Sequence, residues 1–266
     1  MYLTFFFVKY LYMSFSDQKK LSYIYENILK EKYYNDTLNI NFWNNRKFSE
    51  EIRQKLLQIA QDFYDSLEIK IPIIDIQLTG SLANYNYTEY SDLDTHVIID
   101  FKQINEDVEL VKKALDGARF VWNQRHDIVI RGHDVELYVQ DVSEQHTASG
   151  LYSLLNREWI RVPKYNPPEI DEKDIKLKES GYVKEILKME EKVSQPSLVP
   201  EECRSLEIRA KKLKDKIQQG RKKCLSGPNA SEFCVENIVF KNLRNSGMIE
   251  KLIDIASKAY DKAYSE

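Results

Sequence analysis

Cysteine is scarce in this chain: there are three, Cys203, Cys224 and Cys234, all in the last third. So few, so late in the sequence, exclude a disulfide framework as the organising device of the fold. No Cys-x-x-Cys occurs, and the four histidines (His96, His126, His133, His146) do not fall at ligand spacing from the cysteines, which argues against a zinc site. Free thiols in a reducing cytoplasm are the expectation. Glycine and proline are sparse too, eight and seven in 266 residues, while tyrosine and phenylalanine are plentiful, which suggests a compact, helix-containing fold. An excess of one charge is missing: 39 basic side chains stand against 42 acidic, a net −3, so no global pull towards nucleic acid or an anionic membrane exists. No apolar run reaches the ~20 residues that cross a bilayer. The opening MYLTFFFVKYLYM is apolar but shorter, and it lacks a charged leader and a small-residue cleavage site. Met13 offers an alternative start, which would leave residues 1–12 outside the native chain.

What is present is ordinary in bulk, 42% hydrophobic and 30% charged, enough for one large core or two modest ones. Apolar periodicity predicts a helix over 14–31, a polar loop over 35–45, and an amphipathic helix from Ser49, its cap, through Ile52, Leu56, Ala60 and Phe63. Strands are expected at 73–79, 93–99, 128–130 and 135–139, with a short helix after Gly80 and a longer one over 108–122. Beyond Glu144 the pattern reads as helical: 145–158, a Pro-bounded linker at 163–168, then 180–193, 201–224 and 232–262. The organisation is therefore an α+β core with a mixed sheet at 48–162, an N-terminal helical extension at 1–47, and a helical C-terminal region at 163–266.

The chemistry concentrates in LTGSLANYNYTEYSDLDTHVIID, residues 78–100. Gly80-Ser81 follows an apolar run, and Asp92 and Asp94 come after ten intervening residues. Alternate residues of a strand share a face, so both carboxylates point one way. Paired carboxylates resist joint ionisation unless a cation lies between them, and hard oxygen ligands suit Mg²⁺. A Gly-Ser turn presents backbone N–H groups that hold phosphate. In-line displacement between two metals needs a further acid, for which a neighbouring strand is the natural source. Glu136, between apolar Val135 and Leu137, is the candidate; Asp134, on the same face, is the fallback.

The array Gly80-Ser81, Asp92-Leu93-Asp94 and Glu136 resembles the nucleotidyltransferase superfamily of the DNA polymerase β type over about residues 50–160. The nearest likeness is to uncharacterised nucleotidyltransferase-domain proteins of large tailed phages. The resemblance implies a metal-dependent enzyme that moves a nucleoside monophosphate from an NTP to an acceptor hydroxyl and releases pyrophosphate. It implies two Mg²⁺ ions, replaceable by Mn²⁺, with Asp92 and Asp94 binding both and Glu136 binding one and helping take the acceptor's proton. Asp is commoner than Glu at that third place. Gly80 and Ser81 would hold phosphates, and Tyr152 and Ser153 fall where related folds line the nucleotide pocket. The helical half is expected to close over the nucleotide or to receive the acceptor.

Blander readings stand beside these. His96 reads as a buried structural histidine and His133 as a solvated turn residue. Tyr152 reads as core packing ahead of stacking on a base, since Tyr is abundant in this chain. Arg157, Arg161 and Lys164 read by default as solvated surface. The basic run 201–224 is either a solvated helix face or a footprint for nucleic-acid phosphates. A non-catalytic nucleotide- or nucleic-acid-binding module that retains the fold is the competing functional reading.

Overall fold

The structure, a computed structural model, describes residues 34–146, 148–226 and 231–265. The helix expected over 14–31 and the apolar N-terminus lie outside them. The described chain divides into two compact units, one ending at Pro167 and the other beginning at Pro168. Residues 34–47 belong with the first unit, whereas the sequence reading grouped them with an N-terminal extension.

The first unit is built on a six-stranded mixed sheet. Its elements are the short hairpin β1 (Trp43–Asn44) and β2 (Lys47–Phe48), α1 (Glu50–Ser66), β3 (Asp75–Leu78), β4 (Leu93–Ile99), α2 (Val108–Arg125), β5 (Val129–Ile130), β6 (His133–Asp141), β7 (Leu151–Ser153) and β8 (Glu158–Arg161). The sheet order is β5-β6-β4-β3-β7-β8. Only β4 and β6 run parallel. A parallel pair needs a long crossover, and α2 supplies it. Burial alternates along β4: Ser91, Leu93, Thr95 and Val97 are buried, while Asp92, Asp94 and His96 are half-buried. The sheet therefore has one apolar face and one polar face. Helices α1 and α2 both pack against it, α1 burying Ile52, Leu56, Ala60 and Phe63.

Several expectations need correction here. Ser49 stands at the N-cap of α1, but its side chain makes no capping hydrogen bond. The helix expected at 145–158 is absent, and strands β7 and β8 take its place. Gly150 passes so close to the turn after Gly80 that an added Cβ would lie 1.9 Å from the Ala83 carbonyl oxygen. Arg157, at φ +59°, reverses the chain between the two strands. The ladder that makes β7 a strand comes from β3, a partner distant in sequence. The loop read over 35–45 contains β1. There Trp43 donates from Nε1 to the Leu82 carbonyl at 2.8 Å and stacks on Trp159 at 4.5 Å.

The second unit is all helical: α3 (Glu172–Val193), α4 (Pro200–Leu225), α5 (Val235–Asn245) and α6 (Met248–Tyr264). Asp171 caps α3 by accepting from Lys173 N and Asp174 N, and Pro200 opens α4 at a position where its missing N–H costs nothing. The single helix expected over 232–262 is two, because Gly247 at φ +71° ends α5 and redirects the chain into α6. The expectation of free thiols also fails for two of the three cysteines. Cys224 and Cys234 are joined across the α4–α5 connection, with Cα atoms 6.2 Å apart, while Cys203 is free and buried. Among the described residues no helix is long and apolar enough to cross a membrane.

Candidate functional site

The register of β4 against β6 sets the site. Asp94 and Glu136 are direct Cα partners in the parallel pair, so their side chains stand beside each other on the polar face. Asp92, two residues earlier, enters the strand on the same face. Asp134 also shares that face but is exposed and pairs with β5, which leaves Glu136 as the acid that faces Asp94.

Gly80 completes the corner. It ends β3 at φ +73°, a conformation that glycine adopts without strain. Its Cα lies directly under the Asp94 carboxylate: an added Cβ would fall 1.8 Å from Oδ2 and 2.8 Å from Cγ. The short helix expected after Gly80 is one 3₁₀ turn, Ser81–Ala83. Ser91 ties this turn to the strand entry. Its hydroxyl oxygen accepts from Ser81 Oγ at 2.8 Å and from Thr88 N at 2.9 Å. Its carbonyl accepts from His133 Nδ1 at 2.6 Å. His133 is therefore buried, in contrast to the solvated turn residue expected: the bond to Ser91 and an edge contact with Phe42 at 5.2 Å hold it inside.

The acids are adjacent in the fold but are not fully convergent. Among the described residues, the one group of three His, Cys, Asp or Glu whose ligand atoms all lie within 4.8 Å is Cys224, Cys234 and Glu236, in the helical unit. Glu136 is engaged by the Tyr138 hydroxyl, which donates to its Oε2. Burial, with the charges of Asp94 and Glu136, pushes the Tyr138 phenol far above its usual range, so it remains a donor. Asp92, Asp94 and Glu136 thus fit a hard divalent cation in ligand type and in backbone placement.

Behind the acids the polar face continues into a layer of which sequence reasoning found only His96. His96 stacks on Tyr138 at 4.7 Å and donates from Nδ1 to Gln140 Oε1 at 2.7 Å. Burial holds His96 down at about 4, so it is neutral at pH 7. The Arg119 guanidinium lies 4.4 Å from the Tyr138 ring centre. Asp75 accepts from Ser153 Oγ at 2.7 Å and from Gln77 Nε2 at 3.0 Å. Gln77 Oε1 and His146 Nε2 are buried without a hydrogen-bond partner among the described residues. The period-of-two alternation along HDVELYVQD and LDTHVII was the signal for this layer; pairing the two strands in register was what it lacked.

Tyr152 and Ser153, expected as nucleotide contacts on a helix, lie instead on β7. Tyr152 pairs with Leu78, which puts it on the opposite, apolar face. There it is buried and packs edge-on against Trp43 at 5.2 Å and Trp159 at 5.3 Å. Ser153 is on the polar face but fully buried against Asp75. Arg157 pairs with Glu50 at 3.3 Å, and Arg161 donates to the carbonyls of His146 and Ala148. Lys164 is exposed.

The corner thus sets a glycine beneath an aspartate, with acids on two parallel neighbours. A family model described as the SidM N-terminal domain matches residues 15–127. That span takes in Gly80-Ser81 and both aspartates of β4 and stops short of Glu136. The matched residues make up less than half of the chain, so the match marks a similarity to that domain. No solved structure matches the chain.

Proposed function

We propose that this protein is a divalent-metal-dependent nucleotidyltransferase that moves a nucleoside monophosphate from an NTP to an acceptor hydroxyl and releases pyrophosphate. The observation that carries the reading is the register of Asp94 against Glu136 with Gly80 directly beneath Asp94. Asp92 and Asp94 would hold two Mg²⁺ ions, replaceable by Mn²⁺, and Glu136 one of them. Bound there, the cations supply charge neutralisation for an in-line displacement. The chain's own part is positioning. The bare Cα of Gly80 lets Asp94 close over it, and the turn at Gly80-Ser81 offers backbone N–H groups to phosphate oxygens. Glu136 is oriented by Tyr138 and accepts the acceptor's proton. The likeness to tailed-phage nucleotidyltransferase-domain proteins and a cytoplasmic setting, where NTPs and Mg²⁺ abound, belong to the same proposal. The Cys224–Cys234 bond weighs against that setting, since such bonds are rare in reducing compartments.

The competing reading is a binding module that retains the fold. It is favoured by the hydrogen bond that the Tyr138 hydroxyl donates to Glu136. Pyrophosphate release from each NTP, with Mg²⁺ and with a lysate as the source of acceptors, separates the two. The enzyme reading expects Asp94→Ala to lower release on the order of 10³-fold, equivalent to about 4 kcal/mol of barrier. Near-wild-type release by that variant, or NTP binding without any release by the parent protein, rejects it.

A further inference from the structure

We propose that the basic face of α4 is a docking track for a single-stranded nucleic acid. From Ile208 to Leu225 the helix carries eight basic residues against one acid, Asp215. Its apolar stripe, Leu206, Ala210, Leu213 and Ile217, is buried, and the helix packs closely on α6. Arg209, Lys212, Lys216 and Lys223 recur at intervals of three, four and seven, which places them along one side of the helix. That row spans about 20 Å at 1.5 Å per residue.

The row is not consumed by internal ion pairs. Arg209 meets Glu185 of α3 at 2.9 Å. Lys212, Lys216 and Lys223 are exposed and have no carboxylate partner among the described residues. Arg209, Lys212 and Lys216 border a groove of about 410 Å³ that also includes Ser205, Ile208, Leu213 and one acid, Glu185, which is paired with Arg209. Lys216 Nζ lies 5.7 Å from the centre of the half-buried Tyr182 ring. Cations spaced along a groove beside an aromatic ring suit a strand that offers phosphates in series and bases to stack. A lipid surface is flat and favours bulky apolar side chains beside the charges, whereas the apolar stripe of α4 is turned into helix packing. A single free phosphate would use only one pair of the cations.

The test is fluorescence anisotropy of the full chain with a labelled single-stranded RNA of about 15 nucleotides, near the upper site size of single-strand binders, titrated across salt without NTP. The variant is Lys212→Glu with Lys216→Glu. The control, Lys70→Glu with Lys113→Glu, makes the same charge change on exposed residues of the other unit. Binding by the parent chain is expected. The α4 variant is expected to bind at least about tenfold more weakly, with the slope of log K against log salt flatter by about 1.4, at roughly 0.7 per phosphate contact. The control is expected to match the parent. No RNA binding, equal weakening by control and variant, displacement by polyglutamate as effective as by unlabelled strand, or tighter binding to phosphatidylserine vesicles than to RNA would each overturn the proposal.

Discussion

The Asp94 carboxylate rests on the bare Cα of Gly80, so close that a single added methyl group would fall 1.8 Å from Oδ2. Two constraints meet at Gly80. The backbone is at φ +73°, where an L side chain is strained, and the space above it is already filled by an acid.

Gly80→Ala is therefore expected to damage the site more than the fold. At φ +73° and ψ −162° the backbone is in a region open essentially to glycine, which costs an alanine about 1–3 kcal/mol, visible as a drop in melting temperature. Displacement of Asp94 is expected to lower pyrophosphate release on the order of 10²-fold, as a 1 Å misplacement does elsewhere. A melting temperature and a turnover both equal to the parent's would contradict this account of the corner.

His96 makes the sheet unit acid-sensitive. Burial lowers its folded value to about 4 from 6.5, so the folded state binds fewer protons than the unfolded state. The stabilising effect is complete above pH 6.5 and is lost as pH falls towards about 4. The half-buried His146 is shifted the same way by burial and by Arg161. His96→Gln is expected to flatten the decline in melting temperature between pH 6.5 and pH 4, on a scale of about 3 kcal/mol at most. An unchanged decline would point to other groups.

Glu179 acts with the opposite sign in the helical unit. It is fully buried, accepts from Asn242 Nδ2 at 3.2 Å, and leaves Oε1 without a partner among the described residues. Burial raises its carboxyl to about 7 from 4.5. The folded state then binds more protons, so stability is present below pH 4.5 and is lost as pH rises through about 7. Glu179→Gln keeps an acceptor for Asn242 and removes the charge. It is expected to melt at a higher temperature than the parent at pH 8 and to lose that advantage by pH 5. Chemical denaturation at the two pH values checks the crossover.

The Cys224–Cys234 bond closes a short loop between α4 and α5. Loops of this size gain about 2–3 kcal/mol from cross-linking. Reduction by a dithiol, or Cys234→Ser, is expected to lower the melting temperature of the helical unit and to leave that of the sheet unit unmoved. Equal melting of the oxidised and reduced protein would show that the bond adds no stability.

The central elements were legible because they carry their pattern locally. Strand β4 alternates polar and buried side chains from Asp92 to Val97, and its bounds match those read from the sequence. Helices α1 and α2 declare themselves by apolar residues at helical spacing. The acids were singled out because their types and spacing are unusual without a cation, and the fold sets Asp94 beside Glu136. What failed depended on distant partners. Strand β7 is three residues long and exists because β3 lies beside it. Tyr152 was read on a helix, and in β7 its pairing with Leu78 sets it on the apolar face. The break at Gly247 was missed because the apolar spacing continues on both sides of it.

The sequence by itself determined which side chains are available for chemistry, and, through the period of two, that Asp92 and Asp94 share a face. The tertiary structure decided which acid stands opposite Asp94, that Gly80 lies under it, and that Tyr138 and His96 line the layer behind. Covalent spacing along one strand is a local property. The neighbour across a parallel pair is chosen by a crossover helix and the packing of both faces, and no residue records that choice alone.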